Sequence, residues 1–321
     1  MSVNIVIVPY SWFSTIWTTK WYNYIKHLIE DYNWICIDIS DKNKYKAKIS
    51  LKELLKPYDK IDNVLYWNQN IYYHFSELFN YDLDRNIKIS FYYDDIHFYT
   101  SVKKNECNKY AYKVFSSMPF KIFNHYLPSI LNKYIFIPHG ATNEFIIPLN
   151  ENPENKISLS GEIIIKYYPH RIQMLNLSKK EEYKNKIFYL KHPGYRSHDI
   201  KTVVTGKKYA EFLHKYVSSF TSGVVLSRIH TIISKVFEIP ATGSLLMLNE
   251  ELQEEVKNLG FKPNENYIEY NMQNMEEKIA FILNPVNKDI IRKIRIYGQE
   301  LIFKQHMAKH RAESIHNYLN N

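Results

Sequence analysis

Ser227-Arg-Ile-His-Thr-Ile-Ile-Ser-Lys-Val-Phe-Glu-Ile-Pro-Ala-Thr-Gly-Ser-Leu-Leu-Met-Leu248 reads as a helix, a tight exit and a buried strand. Ile232, Ile233, Val236, Phe237 and Ala241 fall on one face at helical spacing, which predicts a helix over Thr231–Pro240. Ser227 or Thr231 can cap its start, where free N–H groups and the helix dipole favour an anion such as a diphosphate. Gly243 and Ser244 supply the exit, and Leu245–Leu248 is apolar on both faces, like a parallel strand covered on both sides. Glu238 is expected near the helix end, where an anion opposes the dipole at a cost of a few tenths to about 1 kcal/mol. A carboxylate kept at that cost suits the vicinal hydroxyls of a ribose. The plainer alternative is a solvated glutamate on a surface helix.

Outward from this stretch the same alternation recurs, and it predicts an α/β chain. Strands are expected at Asn4–Val8, Trp34–Ile39, Asn63–Trp67, Ile87–Tyr92, Phe120–Phe123 and Tyr134–Ile137, with a clear helix over Ile16–Glu30. The polar run Pro148-Leu-Asn-Glu-Asn-Pro-Glu-Asn155 breaks the pattern and reads as a linker. Strands then resume at Lys156–Leu159, Lys186–Leu190, Ser218–Phe220, Ser244–Leu248 and Asn266–Glu269. The expected organisation is a Rossmann-like domain over 1–148, a second over 149–304 and a returning helix over 305–321. Two such domains facing each other hold a ligand cleft at the carboxyl ends of their strands.

Composition removes several classes. Residues 1–150 carry 17 Lys and Arg against 14 Asp and Glu, and residues 151–321 carry 25 against 19, with no basic block in either half. A nucleic-acid binder concentrates such charge into a stripe, so no nucleic-acid partner is expected. No apolar run reaches the roughly 18 residues of a membrane span. The short apolar run Ile5–Val8 has no basic segment before it and reads as a strand, so the chain reads as cytoplasmic. Cys36 and Cys107 make no disulfide framework, and Cys36 reads as a core thiol.

Lys235-Val-Phe-Glu-Ile-Pro-Ala-Thr-Gly-Ser-Leu-Leu-Met247 resembles the donor-site signature of GT-B glycosyltransferases, especially the CgeB-like group. The resemblance extends to Leu159-Ser-Gly161, Tyr168-Pro-His-Arg171, Gly206-Lys-Lys-Tyr209, Glu250-Glu-Leu252, Tyr267-Ile-Glu-Tyr270 and the closing Tyr297–Ser314 helix. It implies two Rossmann-like domains and a nucleotide-diphosphate sugar as co-substrate, a UDP-sugar by slight preference. It also implies a carbohydrate or glycoconjugate acceptor, and neither a prosthetic group nor a metal. Donor binding then falls to Glu238, Lys235, Arg228, His230, Thr231, Gly161, Arg171, Gly243 and Ser244. Tyr92-Tyr-Asp94-Asp95-Ile-His97 resembles a cleft loop of related enzymes, which assigns catalysis to Asp95 or His97. Tyr134-Ile-Phe-Ile-Pro-His139-Gly140 resembles the turn closing the first domain. Asp94 and His139, with the aromatic Tyr10 and Trp12, are the acceptor candidates.

Two departures from the family pattern stand out. His230 occupies the first position of the usual Glu-x7-Glu, and Lys235 replaces an arginine, keeping charge but losing bidentate geometry. A catalytically silent glycan- or nucleotide-binding module is therefore the second reading. A third rests on Asp82-Leu-Asp84 as a metal-holding pair of the GT-A type, against a plain surface turn. His306 and His310 share a helix face but lack the glutamate that a zinc hydrolase places after its first histidine.

Overall fold

The computed structural model describes residues 3–8, 19–39, 51–67, 87–94, 96, 111–192 and 204–321. They form two compact units, Met1–Pro138 with Lys309–Asn321, and His139–Ala308. The first is built on β1 (Val3–Val8), β2 (Ile35–Asp38), β3 (Ile61–Tyr66), β4 (Lys88–Tyr93), β5 (Val114–Ser116) and β6 (Tyr134–Phe136). These lie in the order β2-β1-β3-β4-β5-β6, and every neighbouring pair is parallel. α1 (Thr19–Tyr32) lies between the parallel neighbours β1 and β2 in the chain, as a crossover connection requires.

Two expectations in this unit are corrected. Phe120–Phe123 is not a strand but the start of α2 (Phe120–Tyr126), and the strand before it is β5. Pro119, which cannot donate to a ladder, stands between the two. Cys36 is half-buried, because β2 lies at the edge of the sheet. Burial and the neighbouring Asp38 carboxylate push its thiol up to about 11.

The second unit carries β7 (Glu154–Gly161), β8 (Ile187–Lys191), β9 (Tyr216–Phe220), β12 (Leu245–Asn249) and β13 (Ile268–Tyr270) in the order β13-β12-β9-β7-β8, again all parallel. A small antiparallel hairpin, β10 (Val224–Leu226) and β11 (Ile229–Thr231), stands apart. Its helices include α3 (Pro169–Leu177), α4 (Gly206–His214), α5 (Lys235–Ala241), α6 (Met275–Leu283) and α7 (Lys288–Gln305). Leu245, Leu246, Met247 and Leu248 are each buried, as expected for a central parallel strand covered on both faces. Leu159, Phe220, Met247 and Ile268 from four adjacent strands pack on Ile279 and Ile282 of α6 and Ile291 and Ile294 of α7.

The last helix, α8 (Ala308–Asn320), belongs to the first unit from Lys309 onward. His316 of α8 stacks on Tyr32 of α1 at 4.3 Å between ring centroids and accepts a hydrogen bond from Trp34 Nε1 at 3.1 Å. Arg311 on the same helix is buried beside Tyr24 and Tyr92, and burial pushes its pKa down to about 10. Among the described residues no helix is long and apolar enough to cross a membrane.

Candidate active site

In the second unit β7 ends at Gly161 with φ +102°, a conformation that L side chains rarely adopt. A β-carbon there would stand 2.9 Å from Arg171 Nη1 and 2.9 Å from Lys235 Nζ. Two cations therefore converge on one bare Cα at the carboxyl end of a parallel strand, where open α/β sheets bind ligands.

Each cation is held by local structure. Arg171 lies in the first turn of α3, opened by Pro169, and is 2% exposed. Its guanidinium carbon sits 3.7 Å from the Tyr168 ring centroid, and Nη1 donates to the Glu162 carbonyl at 3.1 Å. Lys235, first residue of α5, donates to Ser160 Oγ at 2.8 Å. Ser160 Oγ in turn lies 2.7 Å from the Tyr209 hydroxyl of α4, whose ring is 5.2 Å from the ammonium. Burial, then the Arg171 charge, drive the Lys235 pKa well below the usual lysine range, while Glu238 opposes them. Burial and the Glu238 carboxylate both raise the Tyr209 pKa. The charge of Glu238, three residues beyond Lys235, is thus felt at both groups.

Sequence reasoning assigned no role to Ser160, Tyr209, Glu162 or His192. His192 directly follows β8 and pairs with Glu162 at 3.0 Å. Burial lowers its pKa, Glu162 raises it, and the Lys235 and Arg171 charges lower it further. The available signal was positional, since all these residues except Tyr209 flank the carboxyl ends of β7 and β8.

The expected helix over Thr231–Pro240 is corrected: Ile229–Thr231 is β11, and α5 begins only at Lys235. Ser227 and Arg228, with φ of 48° and 68°, form the two-residue turn of the hairpin and are exposed. Arg228, His230 and Thr231 therefore do not stand at a helix start, and Glu238 lies in the first turn of α5, where a carboxylate agrees with the dipole. The β-branched Val224, Val225, Ile229 and Thr231 favour strand over helix here. Thr231 is buried with Oγ1 lacking a partner. His230 stands near His170, ring centroids 5.9 Å apart.

Gly243 and Ser244 are not brought to the cation pair. Register places Leu245 beside Ser218 and Ser218 beside Ile157, four residues before Gly161, or about 13 Å along the sheet. Gly243, φ +72°, instead gives its carbonyl to Arg295 Nε at 2.7 Å, and Ser244 Oγ lies 3.0 Å from Ser219 Oγ.

In the first unit Asp94 follows β4 and accepts a hydrogen bond from Ser117 Oγ, just after β5. Beside it Trp67 stacks on Tyr92 at 4.2 Å. His139 is buried at the first residue of the second unit. Tyr10, Trp12, Asp82, Asp84, Asp95, His97 and Cys107 lie outside the described residues. His306 is buried at the end of α7, with Nε2 at 2.7 Å from the Leu259 carbonyl.

Two units each built on a parallel sheet, one with paired cations over a strand-end glycine, have the architecture of GT-B enzymes. The chain belongs to the glycosyl transferase-like family, whose profile matches residues 143–317, and transfer of a glycosyl group is its class of reaction. No curated protein matches it in sequence. Solved structures match over its full length. A glycosyltransferase from Rickettsia africae ESF-5 is 12% identical with a TM-score of 0.58, covering 99% of this chain and 98% of its own. Alr3699/HepE of Anabaena, solved with UDP and glucose, is 10% identical with a TM-score of 0.60, covering 99% of each chain. An alpha-glucosyltransferase solved with UDP and a 13-mer DNA is 10% identical with a TM-score of 0.64, covering 100% of each.

Proposed function

We propose that the second unit binds a nucleoside-diphosphate sugar, a UDP-sugar by preference, and that the chain transfers its sugar to a carbohydrate or glycoconjugate acceptor without a metal at the diphosphate. The observation that carries this is the convergence of Arg171 and Lys235 on Gly161. Two like charges held this close repel each other, and an anion between them turns that cost into attraction. A diphosphate carries the required charge, and the bare glycine leaves room for its oxygens. Cations already fixed in place stabilise the negative charge that grows on the departing diphosphate with no reorganisation at the moment of reaction, which is the task a metal performs elsewhere. Glu238, felt electrostatically at Lys235 and Tyr209, is the carboxylate for the ribose hydroxyls in this reading. Acid–base or orienting work falls to Asp95 or His97. The presence of UDP in structures of similar fold favours that nucleotide.

The test is turnover of a panel of nucleotide sugars, with thermal unfolding in UDP, GDP, dTDP or CMP, each with and without Mg²⁺. A ligand at about 100 times its Kd adds roughly 2.7 kcal/mol, a readily seen shift. The expected result is a Mg²⁺-independent shift with UDP and consumption of a UDP-sugar. A shift that needs Mg²⁺, or none with any nucleotide, overturns the proposal. His230 beside His170 and Asn249 favours the silent module as the second reading. UDP binding with no consumption of any nucleotide sugar would select it.

A further inference from the structure

We propose that His170, His230 and Glu251 form a binding site for one zinc-class divalent metal ion, separate from the diphosphate cations. The three residues come from the first turn of α3, from β11 and from the turn after β12. One donor atom from each lies within 4.8 Å of the others. Two imidazoles and one carboxylate are a ligand set that zinc accepts, leaving a further position for water, whereas Mg²⁺ and Ca²⁺ prefer all-oxygen sites.

The geometry is close to what an ion needs. Donors at zinc-ligand distance around a tetrahedral centre stand about 3.3 Å apart. His170 Nε2 and Glu251 Oε1 are already 3.1 Å apart. His230, half-buried on the hairpin, brings a ring nitrogen within 4.8 Å of the other two donors. The carboxylate is oriented from behind, since Asn249 Nδ2 donates to Glu251 Oε2 at 2.9 Å while Asn249 Oδ1 accepts from the Gly223 amide at 2.9 Å. Ligand-orienting contacts of this kind accompany metal sites.

Hydrogen bonding alone leaves the cluster incomplete. His170 Nε2 faces the Glu251 carboxylate from a ring that is 2% exposed, and the hydrogen bond from Asn249 Nδ2 to His230 Nδ1 is a long 3.5 Å. An ion bound by His170 Nε2, His230 and Glu251 would replace these contacts with ligand bonds. Because His170 precedes Arg171, an ion here also pins the helix turn that presents the guanidinium.

The full-length chain, stripped with chelator and dialysed, is titrated with ZnCl₂ by calorimetry against a competing chelator. Thermal unfolding and the visible spectrum of the Co²⁺ form are followed in parallel. The expected result is one saturable equivalent, a raised Tm and a cobalt d–d band typical of low coordination number. His230→Ala and Glu251→Ala, at partly exposed positions, should each weaken zinc binding by more than tenfold while their metal-free Tm stays near that of the parent chain. Absence of saturable binding, or equal affinity in both variants, overturns the site. UDP-induced stabilisation measured on the same samples separates this failure from failure of the donor assignment.

Discussion

Arg171 Nη1 and Lys235 Nζ each stand 2.9 Å from the point that a β-carbon would occupy on Gly161. The relationship joins a helix start, a strand end and a second helix start, and only a residue without a side chain permits it. Any substitution at Gly161 must therefore displace a cation and strain the backbone together.

Gly161→Ala is expected to lower stability by about 1–3 kcal/mol, the cost of holding a non-glycine residue in a sparsely populated backbone region. It should also weaken UDP binding more than a stability loss alone explains. Thermal unfolding and calorimetry on the same preparation check both. A variant unchanged in both would show that the cations do not need the open glycine.

Lys235 links the site to pH. Burial and Arg171 place its pKa below the ordinary lysine value, so between the two the unfolded chain binds more protons than the folded one. Stability at this position then rises with pH across that window, up to about 10.4. Lys235→Met should lose that rise. In the parent chain an anion bound beside the neutral Lys235 amine restores its proton. UDP binding in alkaline solution should therefore take up protons, seen as an enthalpy that varies with the ionisation heat of the buffer. A buffer-independent enthalpy would contradict this.

His316 makes the anchoring of α8 sensitive to acid. It accepts from Trp34 Nε1 through its bare Nδ1, and burial lowers its pKa. The unfolded chain binds the proton more readily, so this contribution is complete above about 6.5 and is lost as pH falls through and below that value. His316→Ala should flatten that part of the stability–pH profile. An unchanged slope would mean that the ring does not need to be neutral.

Arg295 ties the segment before β7 to the turn before β12 by donating to the Gly243 carbonyl from Nε and to the Asn150 carbonyl from Nη2, both at 2.7 Å. Burial pushes its pKa down to about 10, yet it remains charged at neutral pH. Arg295→Met keeps the bulk but strands two carbonyls, a loss of roughly 2–4 kcal/mol visible as a lower Tm. Retention of the parent Tm would indicate that water replaces both bonds.

Most strand positions were legible because buried parallel strands announce themselves as apolar runs, although the three-residue β5 was missed and Phe120–Phe123 reads as a strand in its place. Leu245–Leu248 and Lys186–Leu190 were each found within one residue of β12 and β8. The hairpin was not, because its turn is Ser227-Arg228 and lacks the Asn-Gly or Asp-Gly pair that usually signals two left-handed residues. Continuous apolar spacing through Ile232 and Ile233 then extended the helix backwards over a strand. At the site, Gly161, Arg171 and Lys235 were each picked out singly. Their convergence is a tertiary fact, set by strand register and two helix starts. Ser160 and Tyr209 lie in motifs that carry the family resemblance but, like His192, gain a role only from the same assembly.

The central claim is that the paired cations hold the diphosphate of the donor without a metal. Calorimetric titration of UDP into the parent chain and into Lys235→Met, without and with Mg²⁺, tests it most directly. Truncating one partner of a charge-assisted contact typically removes about 1.5–3 kcal/mol, or roughly 10- to 150-fold in affinity. The account predicts equal affinity with and without Mg²⁺ in the parent chain and a loss of that size in the variant. Equal UDP affinity in the two chains, or binding that appears only with Mg²⁺, would contradict it.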